Sequence, residues 1–102
     1  MQKTNNYKLT LLAETDLENI FDYTIDRWGE KQATDYTNKL FKRFEQLADN
    51  PSLGKKRDEI YEGYFSYFEG SHTIFFRLKG RDIEIIGIPH QNEDIELHFE
   101  KF

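Results

Sequence analysis

The spacing of apolar positions along the chain changes from about two residues to about 3.6 and back to about two, which predicts a strand, helices and then strands. Tyr7, Leu9 and Leu11 alternate with Lys8 and Thr10, so residues 7–12 read as a half-buried first strand. Thr15-Asp16-Leu17-Glu18 has the capping-box form, which places the start of a helix at Thr15. Leu17, Ile20, Phe21, Thr24, Ile25 and Trp28 follow at helical spacing, and Gly29 supplies a stop. From Glu30, the residues Ala33, Tyr36, Leu40, Phe41, Phe44, Leu47 and Ala48 trace one stripe over about five turns, ended by Asn50-Pro51. With so short a join at Gly29, the two helices must lie antiparallel and share their apolar stripes.

Residues 52–62 show no apolar periodicity and carry Gly54 and Lys55-Lys56-Arg57, so they read as an exposed connection. Residues 64–68, 72–79 and 82–88 are rich in aromatic and β-branched side chains, and glycine-containing turns at Gly70 and Gly80 join them into a meander. The expected fold is α+β: an N-terminal strand, then an antiparallel helical hairpin packed on a small antiparallel β-sheet, all in a single domain spanning 1–102. In the central strand His72, Ile74, Phe76 and Leu78 form the inward set. The opposite face would carry Phe75, Ile86 and Ile88. Either a partner segment or the amphipathic tail from Ile95 to Phe102 covers it, and the pattern leaves both open.

Length and composition narrow the options. A chain of 102 residues buries roughly two-thirds of its extended surface in one core. With 9 Phe, 6 Tyr and 1 Trp, that core is aromatic. The absence of cysteine removes disulfides and thiolate chemistry. A mean hydropathy of -0.81 leaves no membrane span, and residues 1–10 lack a basic start followed by an apolar stretch, so a soluble, unexported chain is expected. A net charge of -5 disfavours broad nucleic-acid binding and makes a protein partner the better expectation.

Nucleotide-loop, zinc-protease and serine-hydrolase signatures are absent. His90, Asp94 and His98 would share a face if the tail were helical, but titratable or capping roles are the ordinary use of such histidines, so no metal is expected. Asp16, Glu18, Asp22 and Asp26 fall on the polar side of the first helix and read as solvated. The aromatic stripe reads as core, and no cofactor is expected.

Six strings stand in a fixed order. They run Ala13-x-x-Asp16-Leu17-x-x-Ile20, Arg27-Trp28-Gly29-x-x-Gln32-Ala33-x-x-Tyr36, Leu47-Ala48-x-Asn50-Pro51-x-Leu53-Gly54, and Arg57-Asp58-Glu59-Ile60-x-Glu62-Gly63-Tyr64. Gly70-Ser71-His72-x-Ile74-Phe75-Phe76 and Ile86-x-Ile88-x-His90-x-x-x-Asp94 complete the set. In order and spacing, and over nearly the whole chain, these strings resemble the ParE toxins of the RelE/ParE toxin-antitoxin superfamily.

The resemblance implies a cytoplasmic, non-enzymatic toxin that inhibits DNA gyrase and forms a hetero-oligomer with a neutralising ParD-type antitoxin, with no direct nucleic-acid contact. It implies antitoxin contacts at Ile20, Tyr23, Trp28, Tyr36, Phe75, Arg77 and Ile86. Target contacts would fall at Lys55, Lys56, Arg57, Phe65, His90 and Asp94. Phe65 departs from the family pattern, in which arginine follows the Gly-Tyr pair, and the acidic balance is a second departure. Rival readings are a RelE-like ribosome-dependent mRNA endoribonuclease, against which Gln91, Asn92 and Glu93 stand where such enzymes carry basic residues, and a non-toxic antitoxin-binding homologue, which Phe65 would suit.

Overall fold

A computed structural model of the chain describes residues 6–100. The elements are β1 (Tyr7–Leu9), α1 (Leu11–Trp28), α2 (Glu30–Asp49), a 3-10 turn (Pro51–Leu53), β2 (Lys55–Lys56), β3 (Tyr64–Glu69), β4 (His72–Lys79), β5 (Asp82–Gly87) and α3 (Ile95–Phe99). The α+β architecture is the one expected, with the sheet ordered β1-β5-β4-β3-β2. Its strands pair antiparallel except β1, which runs parallel to β5, a pairing that needs the long connection the helices and meander provide. No helix among the described residues is long and apolar enough to cross a membrane.

The first helix starts a turn earlier than the capping box at Thr15 indicates. Thr10 is the true cap: its hydroxyl oxygen accepts the Ala13 amide proton at 3.1 Å and donates its own proton to the Ile86 carbonyl at 2.7 Å. One side chain thus ends β1 at Leu9, starts α1 and pins that start to the end of β5. Gly29 makes the expected reversal at φ 93°, where a side chain bearing Cβ is strained. Leu40, Phe44, Leu47 and Ala48 of α2 are fully buried against Ala13, Leu17 and Ile20 of α1 and against Ile74, Phe76, Ile83 and Ile85 of the sheet. This one cluster is the core, and it holds the hairpin rigidly over the sheet.

The segment after α2 is not the structureless connection expected. Lys55 and Lys56 pair with Ser66 and Phe65, adding a two-residue edge strand too short to show periodicity. Gly54 makes this pairing possible, since a Cβ there would lie 2.5 Å from the Phe76 ring.

Two further expectations about the strand faces are corrected. Leu78 is 55% exposed, beyond the reach of the helices, whereas Thr73 to Phe76 are buried on both faces. On the face away from the hairpin the tail itself supplies the cover: the Phe99 ring meets Phe75 edge-on at 5.2 Å and Tyr64 at 5.8 Å, and the Arg57 guanidinium lies 5.5 Å from the Phe75 centroid. Of the two covers left open for this face, the tail is the one found over Phe75; Phe75 and Ile86, named as antitoxin contacts, are buried, and Ile88 joins the helix-side core instead.

Candidate functional site

Two adjoining clefts of about 450 and 400 Å³ share Tyr23, His72 and His90. One wall is α1, where Ile20, Tyr23, Thr24 and Arg27 recur at three- and four-residue intervals and so occupy one helical face. Ile20 is buried in the floor, whereas Tyr23 is 57% and Trp28 68% exposed. Arg27 stacks over the Tyr23 ring at 5.1 Å. Two large rings held open to solvent beside a polar floor are the kind of anchor that partner proteins use.

The opposite wall is built by α2, the start of β4 and the segment after β5. The Tyr36 hydroxyl lies 3.1 Å from the Glu69 carbonyl, 3.1 Å from the Ser71 amide nitrogen and 2.7 Å from His72 Nδ1. The carbonyl can only accept and the amide can only donate, so all three bonds form only when His72 Nδ1–H donates to Tyr36. His72 Nε2 is then a bare acceptor. Burial, helped by the neighbouring His90, pushes the His72 pKa down to about 4, which keeps the ring neutral. Burial likewise raises the Tyr36 pKa. Gly70 turns at φ 59° beneath this network, and a Cβ on it would lie 2.7 Å from the Tyr36 ring.

His90 closes the cleft. It pairs with His72 through the backbone, its ring meets that of His72 edge-on at 5.4 Å, and its Nδ1 accepts the Asn92 amide proton at 3.2 Å. Thr73 N–H donates to the Pro89 carbonyl at 2.9 Å and Gln91 N–H to that of Ser71 at 2.9 Å, so the segment after β5 is tied along β4.

Asp16 and His98 form the end wall. Asp16 is buried rather than solvated: its Oδ2 accepts from the Ile88 amide at 2.7 Å and lies 2.8 Å from His98 Nε2. The other ring nitrogen of His98 lies 2.9 Å from Glu93 Oε2. Burial alone would lower the His98 pKa, but the bonds and charges of Asp16 and Glu93 outweigh it and hold the pKa above its ordinary 6.5. Sequence reasoning missed this pair. The available signal was that Asp16 sits on the apolar stripe between Ala13 and Leu17 and Ile20, where a solvated carboxylate does not belong.

The structure gathers Ile20, Tyr23, Trp28, Tyr36 and His90 around the two clefts and sends the remaining candidates elsewhere. Arg77 lies at the far end of β4, bonded to Glu84 at 2.8 Å. Lys55 and Lys56 are exposed on the edge strand. Arg57 is held by Glu59 at 2.7 Å and by Ser66 at 3.0 Å. Phe65 stacks on Phe76 at 5.4 Å as part of the helix-side packing. Asp94 caps α3 by accepting the Leu97 amide proton, so it begins the helix instead of sharing a helical face with His90 and His98. Among the described residues no three His, Cys, Asp or Glu side chains are placed to hold a metal ion.

The family model for the ParE toxin of type II toxin-antitoxin systems, parDE, matches residues 7–95. Toxin ParE1 of Mycobacterium tuberculosis (strain H37Rv) is 38% identical over 94 residues, covering 91% of this chain and 96% of that protein. Toxin ParE1 of Caulobacter vibrioides is 36% identical over 92 residues, covering 90% and 95%. Among solved structures, a chain of the chromosomal ParDE toxin-antitoxin system from P. aeruginosa superposes with a TM-score of 0.71 at 23% identity, covering 83% of this chain and 94% of that one. A chain of the RelBE2 toxin-antitoxin complex from Mycobacterium tuberculosis gives 0.60 at 18% identity, covering 84% and 96%. At these identities the two structures speak for the fold alone.

Proposed function

This chain belongs to the ParE family of toxins from type II toxin-antitoxin systems, and from that premise we propose that it inhibits DNA gyrase in the cytoplasm and is silenced by a ParD-type antitoxin seated in the Tyr23–Trp28 clefts. The observation that carries the placement of the antitoxin is the pairing of two exposed aromatic rings, Tyr23 and Trp28, with a rigid, hydrogen-bonded floor at Tyr36 and His72. A segment docking there buries apolar ring surface without reorganising the core, which lowers the entropic cost of association. The toxin acts by binding rather than by turnover. Arg57 and Arg77 are already paired with Glu59 and Glu84, and a phosphodiester transition state would have to compete with those carboxylates for their charge.

The test is to add the purified chain to a gyrase supercoiling reaction and, in parallel, to ribosome-bound messenger. We expect supercoiling to stop, antitoxin to restore it, and the messenger to stay intact. Cleaved messenger with normal supercoiling would move the assignment to a ribonuclease, and neither effect alongside tight antitoxin binding would mark a non-toxic binder.

A further inference from the structure

The ring of His98 is 4% exposed, and each of its nitrogens lies within 2.9 Å of a carboxylate oxygen, Nε2 on Asp16 and Nδ1 on Glu93. A neutral imidazole carries one N–H, so one of these oxygens would then face a lone pair; both bonds form only on the doubly protonated ring. Asp16 Oδ2 also accepts the Ile88 amide proton, so α1, the strand end and α3 converge on one oxygen. Glu93 is itself fixed by the His90 amide, which donates to its Oε1 at 2.9 Å.

What this junction holds is small and weakly anchored otherwise. α3 has 5 residues, far too few to persist as a helix without tertiary support. Its Asp94 cap is local, and Leu97 points to solvent. Beyond His98 it is held by Phe99, which rests on Phe75 and Tyr64 and fills the space over Gly87, where a Cβ would lie 2.7 Å from the ring.

We propose that His98 is a proton-operated latch: the doubly protonated ring clamps α3 onto the sheet, and loss of one proton lets α3 lift away and uncovers the Phe75 and Tyr64 rings beneath it. The titratable groups facing His98 are Asp16 from α1, Glu93 from the loop before α3, and His72 and His90 across the cleft. His72, with its pKa near 4, carries no charge in the range concerned. The pKa of His98 is raised in the docked state, so docking is fully supported below the ordinary histidine value and weakens as pH rises through the docked value.

The test uses the full chain, labelled for NMR, from about pH 6 to about pH 9.5. The His98 ring resonances report its protonation, and exchange protection of the Leu97 and His98 amides, corrected for intrinsic rates, reports docking of α3. Between the undocked and docked pKa values this protection should fall about tenfold per pH unit, with the Phe76 amide of β4 unaffected. Glu93→Gln should make the fall smaller and end it at lower pH, and His90→Asn should leave it in place. His98→Gln should leave α3 undocked at every pH; should that variant fail to fold, Glu93→Gln still decides. Protection that stays level while His98 titrates, or a ring that carries a single proton across the range, would overturn the proposal.

Discussion

The Tyr36 hydroxyl lies 2.7 Å from His72 Nδ1 and joins the second helix to the first residue of the central strand. It also takes up the Ser71 amide and the Glu69 carbonyl, so one oxygen satisfies three groups at the cleft floor. Replacing Tyr36 with Phe keeps the ring and strips those partners. We expect Tyr36→Phe to lower the unfolding free energy by about 1–3 kcal/mol, measured by urea denaturation. A loss within experimental error would show that water replaces the hydroxyl at no cost.

Gly70→Ala attacks the same network from the turn. It combines a φ of 59° with a Cβ placed 2.7 Å from the Tyr36 ring, so ring and turn cannot both stay in place. A destabilisation of at least about 1–2 kcal/mol is expected. Gly80→Ala, with φ 64° but open space around it, should cost less, and the difference between the two isolates the steric part.

His72 gives stability a pH dependence of defined sign. Burial, then His90, lower its folded pKa to about 4 from 6.5, against weaker opposition from Glu93 and Asp16. The unfolded chain therefore binds the extra proton first as pH falls. The contribution of His72 is complete above 6.5 and is lost as pH drops from there towards about 4. Urea unfolding followed over this range should show a shallower decline in His72→Asn than in the wild type. Parallel curves would mean that His72 titrates alike in both states.

Phe99→Ala tests whether the tail seals the sheet. Removing a ring that touches Phe75, Tyr64 and His98 should cost about 2–4 kcal/mol and expose apolar surface to a dye such as ANS. Unchanged stability with no dye binding would show that α3 contributes nothing to covering Phe75.

The helical hairpin was legible because two long stripes at 3.6-residue spacing flank Gly29, a strong local signal in which propensity and packing agree. The helix start was misread because Thr15 and Glu18 satisfy a local rule, while Thr10 wins through its bond to the Ile86 carbonyl, 76 positions away. Asp16 and His98 were hidden for the same reason, being partners 82 positions apart. The two-residue β2 and the five-residue α3 are too short to show a repeating pattern, and pairing with β3 and the His98 junction create them. Of the candidate site, Ile20, Tyr23, Trp28 and Tyr36 were named through the family resemblance, since helical spacing alone reads Ile20, Trp28 and Tyr36 as members of the core stripes. The burial of Phe75 depended on where the tail folds, since Phe99 meets its ring.

The most direct measurement is a calorimetric titration of the cognate ParD-type antitoxin into the wild-type chain and into the Tyr23→Ala, Trp28→Ala double variant. Both rings are largely exposed, so melting temperature should move by no more than a few degrees, corresponding to about 0.5 kcal/mol or less per site. The account predicts that the variant binds on the order of 100-fold more weakly, about 2.7 kcal/mol, as expected when two aromatic anchors are removed. Equal affinity for the wild-type chain and the variant would contradict it.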